Sequence, residues 1–115
     1  MKKVKITRQL GRVDFLRTHI RLVDALEGRK LTDREIEVLA AFAELEGDIR
    51  KDILGTSARK IVKDKLGLSA PGLANYLKSL SEKEVIKEGK ISPVIFLPSG
   101  EEVSYQINLI PDEKD

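Results

Sequence analysis

The sequence predicts one α+β domain, four helices followed by a β-hairpin, on three observations. Apolar residues recur at three- and four-residue spacing in four stretches between Asp14 and Lys83. Cap-forming residues and glycines stand at the ends of those stretches. After Lys83 the helical period stops and β-rich residues follow, broken by Gly89, Pro93, Pro98 and Gly100. A chain of 115 residues with 41% apolar content can bury one core and not two. Residues 1–115 are therefore read as a single domain: an N-terminal strand and helix over 1–30, a core and hairpin over 31–110, and a frayed tail over 111–115.

The opening "KKVKI" alternates charged and apolar residues and predicts a short strand ended by Gly11. From Asp14 to Glu27 the residues Phe15, Leu16, His19, Ile20, Leu22, Val23 and Leu26 predict a first helix, with Gly28 as its C-terminal glycine. In "LTDREIEVLAAF" Thr32 is an N-cap and Glu35 its reciprocal partner in a capping box. Ile36, Leu39, Ala40, Ala43 and Leu45 supply the buried face of this second helix, expected over 32–46. "DIRKDILG" fits a short helical turn or a loop. "TSARKIVKDKLG" predicts a third helix with a Thr or Ser cap and a buried face of Ala58, Ile61, Val62 and Leu66. "LSAPGLANYLKSLSEK" predicts a fourth, with Ser69 as cap, Pro71 in the first turn, and Leu73, Leu77 and Leu80 on one face. Val103, Tyr105, Ile107 and Leu109 alternate with Ser104, Gln106 and Asn108, so a strand is expected there, paired with residues 94–97 across "PSGEE".

The net charge of +2 is unevenly spread. Residues 1–30 carry +6, 31–55 carry −4, 56–90 carry +4 and 91–115 carry −4. Two basic segments are the electrostatic footprint expected of a polyanion binder, because Lys and Arg that neutralise phosphates release counterions. Ordinary charge fluctuation on a solvated surface gives the same pattern. The absence of cysteine removes disulfides, thiolate zinc sites and cysteine nucleophiles. No stretch approaches the roughly 20 apolar residues of a membrane span, and no apolar run follows the basic start as a secretory signal needs. A cytoplasmic protein is expected, with no cofactor.

The third and fourth helices, joined by "GLSAP", have the layout of a helix-turn-helix, whose second member lies in the major groove of duplex DNA. With 100° per residue and Leu73 centred on the buried face, Leu77 and Leu80 fall within about 40° of it. Pro71, Asn75, Lys78 and Glu82 then lie opposite, with Gly72 and Ser79 at the edge. Asn75 can pair bidentately with adenine, Lys78 can donate to guanine or phosphate, and the N–H groups after Ser69 can receive a phosphate. On the third helix Lys60 and Lys63 point away from the apolar stripe and Arg59 lies at its margin, suiting all three to phosphate contact. Lys87 and Lys90, around "KEGK", are candidates for a backbone contact.

Several of these stretches resemble known regulators. "LTDREIEVL" resembles the opening helix of the LuxR-type DNA-binding domain, and "KIVKDKLGLSAPGLANYLKSL" resembles the helix-turn-helix of LuxR-type and MarR-like regulators. Helices followed by a β-hairpin are similar to the winged-helix branch. The resemblance covers roughly residues 31–97. It implies a winged helix-turn-helix, a tri-helical core plus hairpin, that binds double-stranded DNA as a small transcriptional regulator of the kind common in bacteria and phages.

Other functions are weighed against this. The acidic tip with Glu101 and Glu102 would repel phosphates, and Glu82 on the fourth helix fits a plain polar face. A winged helix can also dock another protein within a transcription or phage assembly, and the helix over 14–27 offers Phe15, Leu16 and Ile20 for a homodimer or partner. Catalysis has little support. His19 sits among apolar positions, Ser57 and Ser69 stand where helix caps belong, and no glycine-rich phosphate loop or metal-ligand spacing occurs. Few aromatics are available for stacking on single strands.

Overall fold

The computed structural model describes residues 7–97 and 103–110. Among these, five helical segments precede a small hairpin. They are α1 Arg12–Glu27, α2 Asp33–Ala43, a 3-10 turn Gly47–Asp52, α3 Thr56–Leu66 and α4 Ala70–Glu82, followed by β1 Ile86–Lys87 and β2 Lys90–Ile91. The chain is thus mostly helical with one antiparallel pair, an α+β arrangement. The strand expected over residues 2–6, the tip at 98–102 and the tail at 111–115 lie outside the described residues.

α2 is the hub. Thr32 accepts from the Glu35 N–H while Glu35 accepts from the Thr32 N–H, the reciprocal cap its spacing predicts. Eight of its eleven residues are buried, including Val38, Ala41 and Phe42 outside the expected stripe, so it is enclosed rather than amphipathic. α1 packs against α2, and the pair α3–α4 packs on α2 as well as on itself. α2 therefore separates α1 from that pair.

The start of α3 uses a different device from the one expected. α3 is capped by the Gly55 backbone and no side chain, so Thr56 and Ser57 sit in its first turn. A Cβ at Gly55 would meet the Asp52 carboxylate, which would have to shift. Ile61, expected inside, is 44% exposed. Arginines close the carbonyl ends of helices, where the partial negative charge of the helix dipole gathers. Arg34 donates to Leu66 O at 3.2 Å and Arg29 to Lys83 O at 2.8 Å. Arg50 donates to Ala43 O and Leu45 O at 2.8 and 2.7 Å, reaches Leu97 O at 2.5 Å, and lies over the Phe96 ring.

The hairpin differs most from expectation. Its strands are Ile86–Lys87 and Lys90–Ile91, in the register Ile86↔Ile91 and Lys87↔Lys90. Glu88 and Gly89 both take positive φ, 52° and 71°, as a two-residue turn between twisted strands demands. Residues 94–97, expected to be a strand, instead follow a turn in which the N–H groups of Ile95 and Phe96 both donate to Ser92 O. Residues 103–110 form no strand either. They lie against α1, where the Tyr105 hydroxyl meets His19 Nδ1 at 2.5 Å. His19 is buried, with its Nε2 at 2.7 Å from Val94 O.

Candidate nucleic-acid interface

The turn between α3 and α4 is built by its sequence. Gly67 at φ 65° ends α3, and the Leu68 N–H returns to Lys63 O at 2.9 Å, satisfying a carbonyl the helix leaves open. Ser69 Oγ accepts from the Gly72 N–H at 3.0 Å. Pro71 has no N–H, and Gly72 gives its own to Ser69. The anion site expected at this helix start is thereby reduced to the Ala70 N–H and the hydroxyl hydrogen of Ser69.

A groove of about 350 Å³ runs between α3 and α4. Arg59, Lys60 and Lys63 stand on its α3 side, while Ala70, Ala74 and Leu77 line its α4 side. A neighbouring depression of about 460 Å³ shares Arg59, Ala74 and Leu77 with it and extends past Lys78 to Gly89 of the hairpin turn. Arg59, Lys60, Lys63 and Lys78 thus border one continuous concave surface, with Asp52 as an acidic member at its edge. Pro71, Asn75 and Lys78 are exposed on α4, and the small Ala70 and Ala74 between them leave its backbone approachable. Glu82 is exposed farther along the helix.

The basic residues of this half of the chain divide into two sets. Lys65 pairs with Glu44, Lys83 with Glu35, and Lys87 lies 4.0 Å from Glu84. Among the described residues, Arg59, Lys60, Lys63, Lys78 and Lys90 have no carboxylate oxygen within salt-bridge distance. Arg59 Nε donates to Leu54 O at 2.7 Å, which fixes the start of its fork and leaves the terminal nitrogens outward. Lys87 and Lys90 face each other across the hairpin register, exposed while Ile86 and Ile91 turn inward.

Three residues expected at the interface make scaffold contacts. Ser69 is occupied as a cap acceptor, and Gly72 lies beside it, where an added Cβ would come within 3.0 Å of Ser69 Oγ. Ser79 points inward and donates to Glu35 Oε2 at 2.6 Å. Glu35 Oε1 also receives Lys83 Nζ at 2.5 Å, so this buried carboxylate fastens the last turn of α4 to the first turn of α2. Burial pushes the Glu35 carboxyl up, but the hydrogen bonds from Lys83, Ser79 and Thr32 outweigh it and hold the group at about 2. The capping box signals Glu35 in the sequence; its partners 44 and 48 residues away do not.

Among the described residues no group of three or more histidines and carboxylates is placed to hold a metal ion. No helix among them is long and apolar enough to cross a membrane. Comparison of the chain with protein-family models, curated proteins and solved structures returned no match.

Proposed function

We propose that this chain is a winged helix-turn-helix protein that binds double-stranded DNA with a preference for sequence, acting as a small transcriptional regulator without catalysis. The observation that carries this reading is the concave surface bordered by Arg59, Lys60, Lys63 and Lys78, free of ion pairs among the described residues, beside the exposed Asn75. α4 enters the major groove, where Asn75 and Lys78 meet base edges and the alanines allow close approach. α3 lies across the backbone, its three cations on phosphates. The hairpin is a short wing, and its Lys87 and Lys90 reach an adjacent phosphate.

Asn75 and Lys63 separate reading from holding. Asn75→Ala is expected to weaken binding to the preferred duplex by on the order of 1–3 kcal/mol, with little change on unrelated duplexes. Lys63→Ala lowers affinity for every duplex together and flattens the salt dependence by about one unit of slope. Fluorescence anisotropy on preferred and scrambled duplexes checks both, with circular dichroism to show each variant folded. Folded variants that bind every duplex as the parent does would remove this surface from DNA binding.

The alternative, a winged helix that docks a protein without touching DNA, is favoured by a different face. Leu26, Val94 and Tyr105 remain partly exposed on and around α1. α2 stands between α1 and the α3–α4 pair, so that face leaves the basic groove unobstructed.

A further inference from the structure

Four of the large apolar side chains left exposed among the described residues lie on and around α1. Leu22 is 37% exposed and Leu26 51%, beside Val94 and Tyr105. Leu26, Val94 and Tyr105 border a groove of about 280 Å³ that also includes His19, Val23 and Leu97. Residues 103–106 line this groove and are pinned there by the Tyr105 hydroxyl on His19. The segment beyond them leaves the body of its own chain, for Ile107, Leu109 and Ile110 are 76%, 91% and 83% exposed. No backbone hydrogen bond outside helices and strands is made by residues 103–110 among the described residues. An extended segment with alternating apolar side chains and open backbone groups is an unpaired edge that a second strand can complete.

From these features we infer that a second copy of this chain covers this face: the segments 103–110 of two copies pair antiparallel about a two-fold axis, and Ile107 and Leu109 of each lie on Leu22 and Leu26 of the other. The surface is self-complementary, as a two-fold interface requires. One chain carries both an apolar segment with unpaired backbone and an apolar helix face to receive it. Charge agrees as well. The sequence following the segment holds Asp112, Glu113 and Asp115 against Lys114, while α1 carries Arg17 and Arg21. Those arginines are engaged only in exposed pairs at 3.7 Å, which are worth little. This pairing is independent of what α4 binds.

Sedimentation equilibrium of the full chain over a micromolar dilution series is the test, with a limiting mass of twice 12.9 kDa expected. The double variant Ile107→Asp, Leu109→Asp places charge on the pairing segment and should raise the dimer dissociation constant by about a hundredfold or more, with an unchanged circular dichroism spectrum. Because the chain has no cysteine, mixing a Leu26→Cys chain with an Ile107→Cys chain should give a disulfide-linked heterodimer on mild oxidation. A single-chain mass throughout, a dimer unaffected by the aspartates, or mixed chains that fail to cross-link would each overturn the pairing. So would a single-chain protein whose 103–110 segment binds lipid vesicles. A monomer that still binds duplex DNA overturns the pairing and leaves the DNA reading standing.

Discussion

Lys83→Met is expected to lower stability by about 3 kcal/mol at neutral pH, read as a fall in the urea midpoint with an unchanged slope. The substitution leaves the Glu35 carboxylate buried with Ser79 and Thr32 as its partners, and an uncompensated buried charge costs far more than the pair contributes. Adding Glu35→Gln should recover much of the loss, because a neutral amide keeps the acceptor for the Thr32 N–H and removes the charge. A cost below about 1 kcal/mol would show that the carboxylate is held without Lys83. The same group sets an acid limit. Its folded value of about 2 lies below the ordinary 4.5, so its stabilisation is complete above pH 4.5 and is lost as pH falls toward 2. The parent should lose about 3 kcal/mol more over that window than Glu35→Gln does.

Phe42→Ala should cost about 4 kcal/mol, the cavity and lost transfer energy of an aromatic ring that is fully buried. Phe42 lies in the last turn of α2, the helix that carries α1, α3 and α4. Differential scanning calorimetry should show the melting temperature falling by roughly 15 °C. Ile61→Ala, on the exposed side of α3, should change stability by under about 1 kcal/mol. Similar losses at the two positions would contradict a core centred on α2.

The helices were legible because their signals are local. Thr32 with Glu35, Ser69 with Gly72, and Gly67 after Leu66 each fix a boundary within four residues of themselves. The hairpin was misplaced because alternation is visible only in a long strand. Val103 to Leu109 alternate without a partner edge, whereas two-residue strands around Glu88 and Gly89 offer no period to detect. Residues 94–97 do not form a strand because Ser92 O takes the N–H groups of Ile95 and Phe96. For the interface, the helical wheel correctly placed Asn75 and Lys78 on the exposed side of α4. It could not foretell that Lys65 and Lys83 would be paired while Lys60, Lys63 and Lys78 would not, since their acidic neighbours come from α2 and its C-terminal end. Ser79 faces inward for the same reason.

The central claim is that the concave surface along α3 and α4 holds duplex DNA through its unpaired cations, and a salt series tests it most directly. Binding constants for a duplex, measured by anisotropy over increasing monovalent salt, should give a log–log slope of about −3 or steeper, since Arg59, Lys60 and Lys63 each neutralise a phosphate at roughly 0.9 per contact. The triple variant Lys60→Ala, Lys63→Ala, Lys78→Ala, folded by circular dichroism, should lose most of that slope. A parent slope near zero, or a triple variant with the parent's slope, would contradict the account.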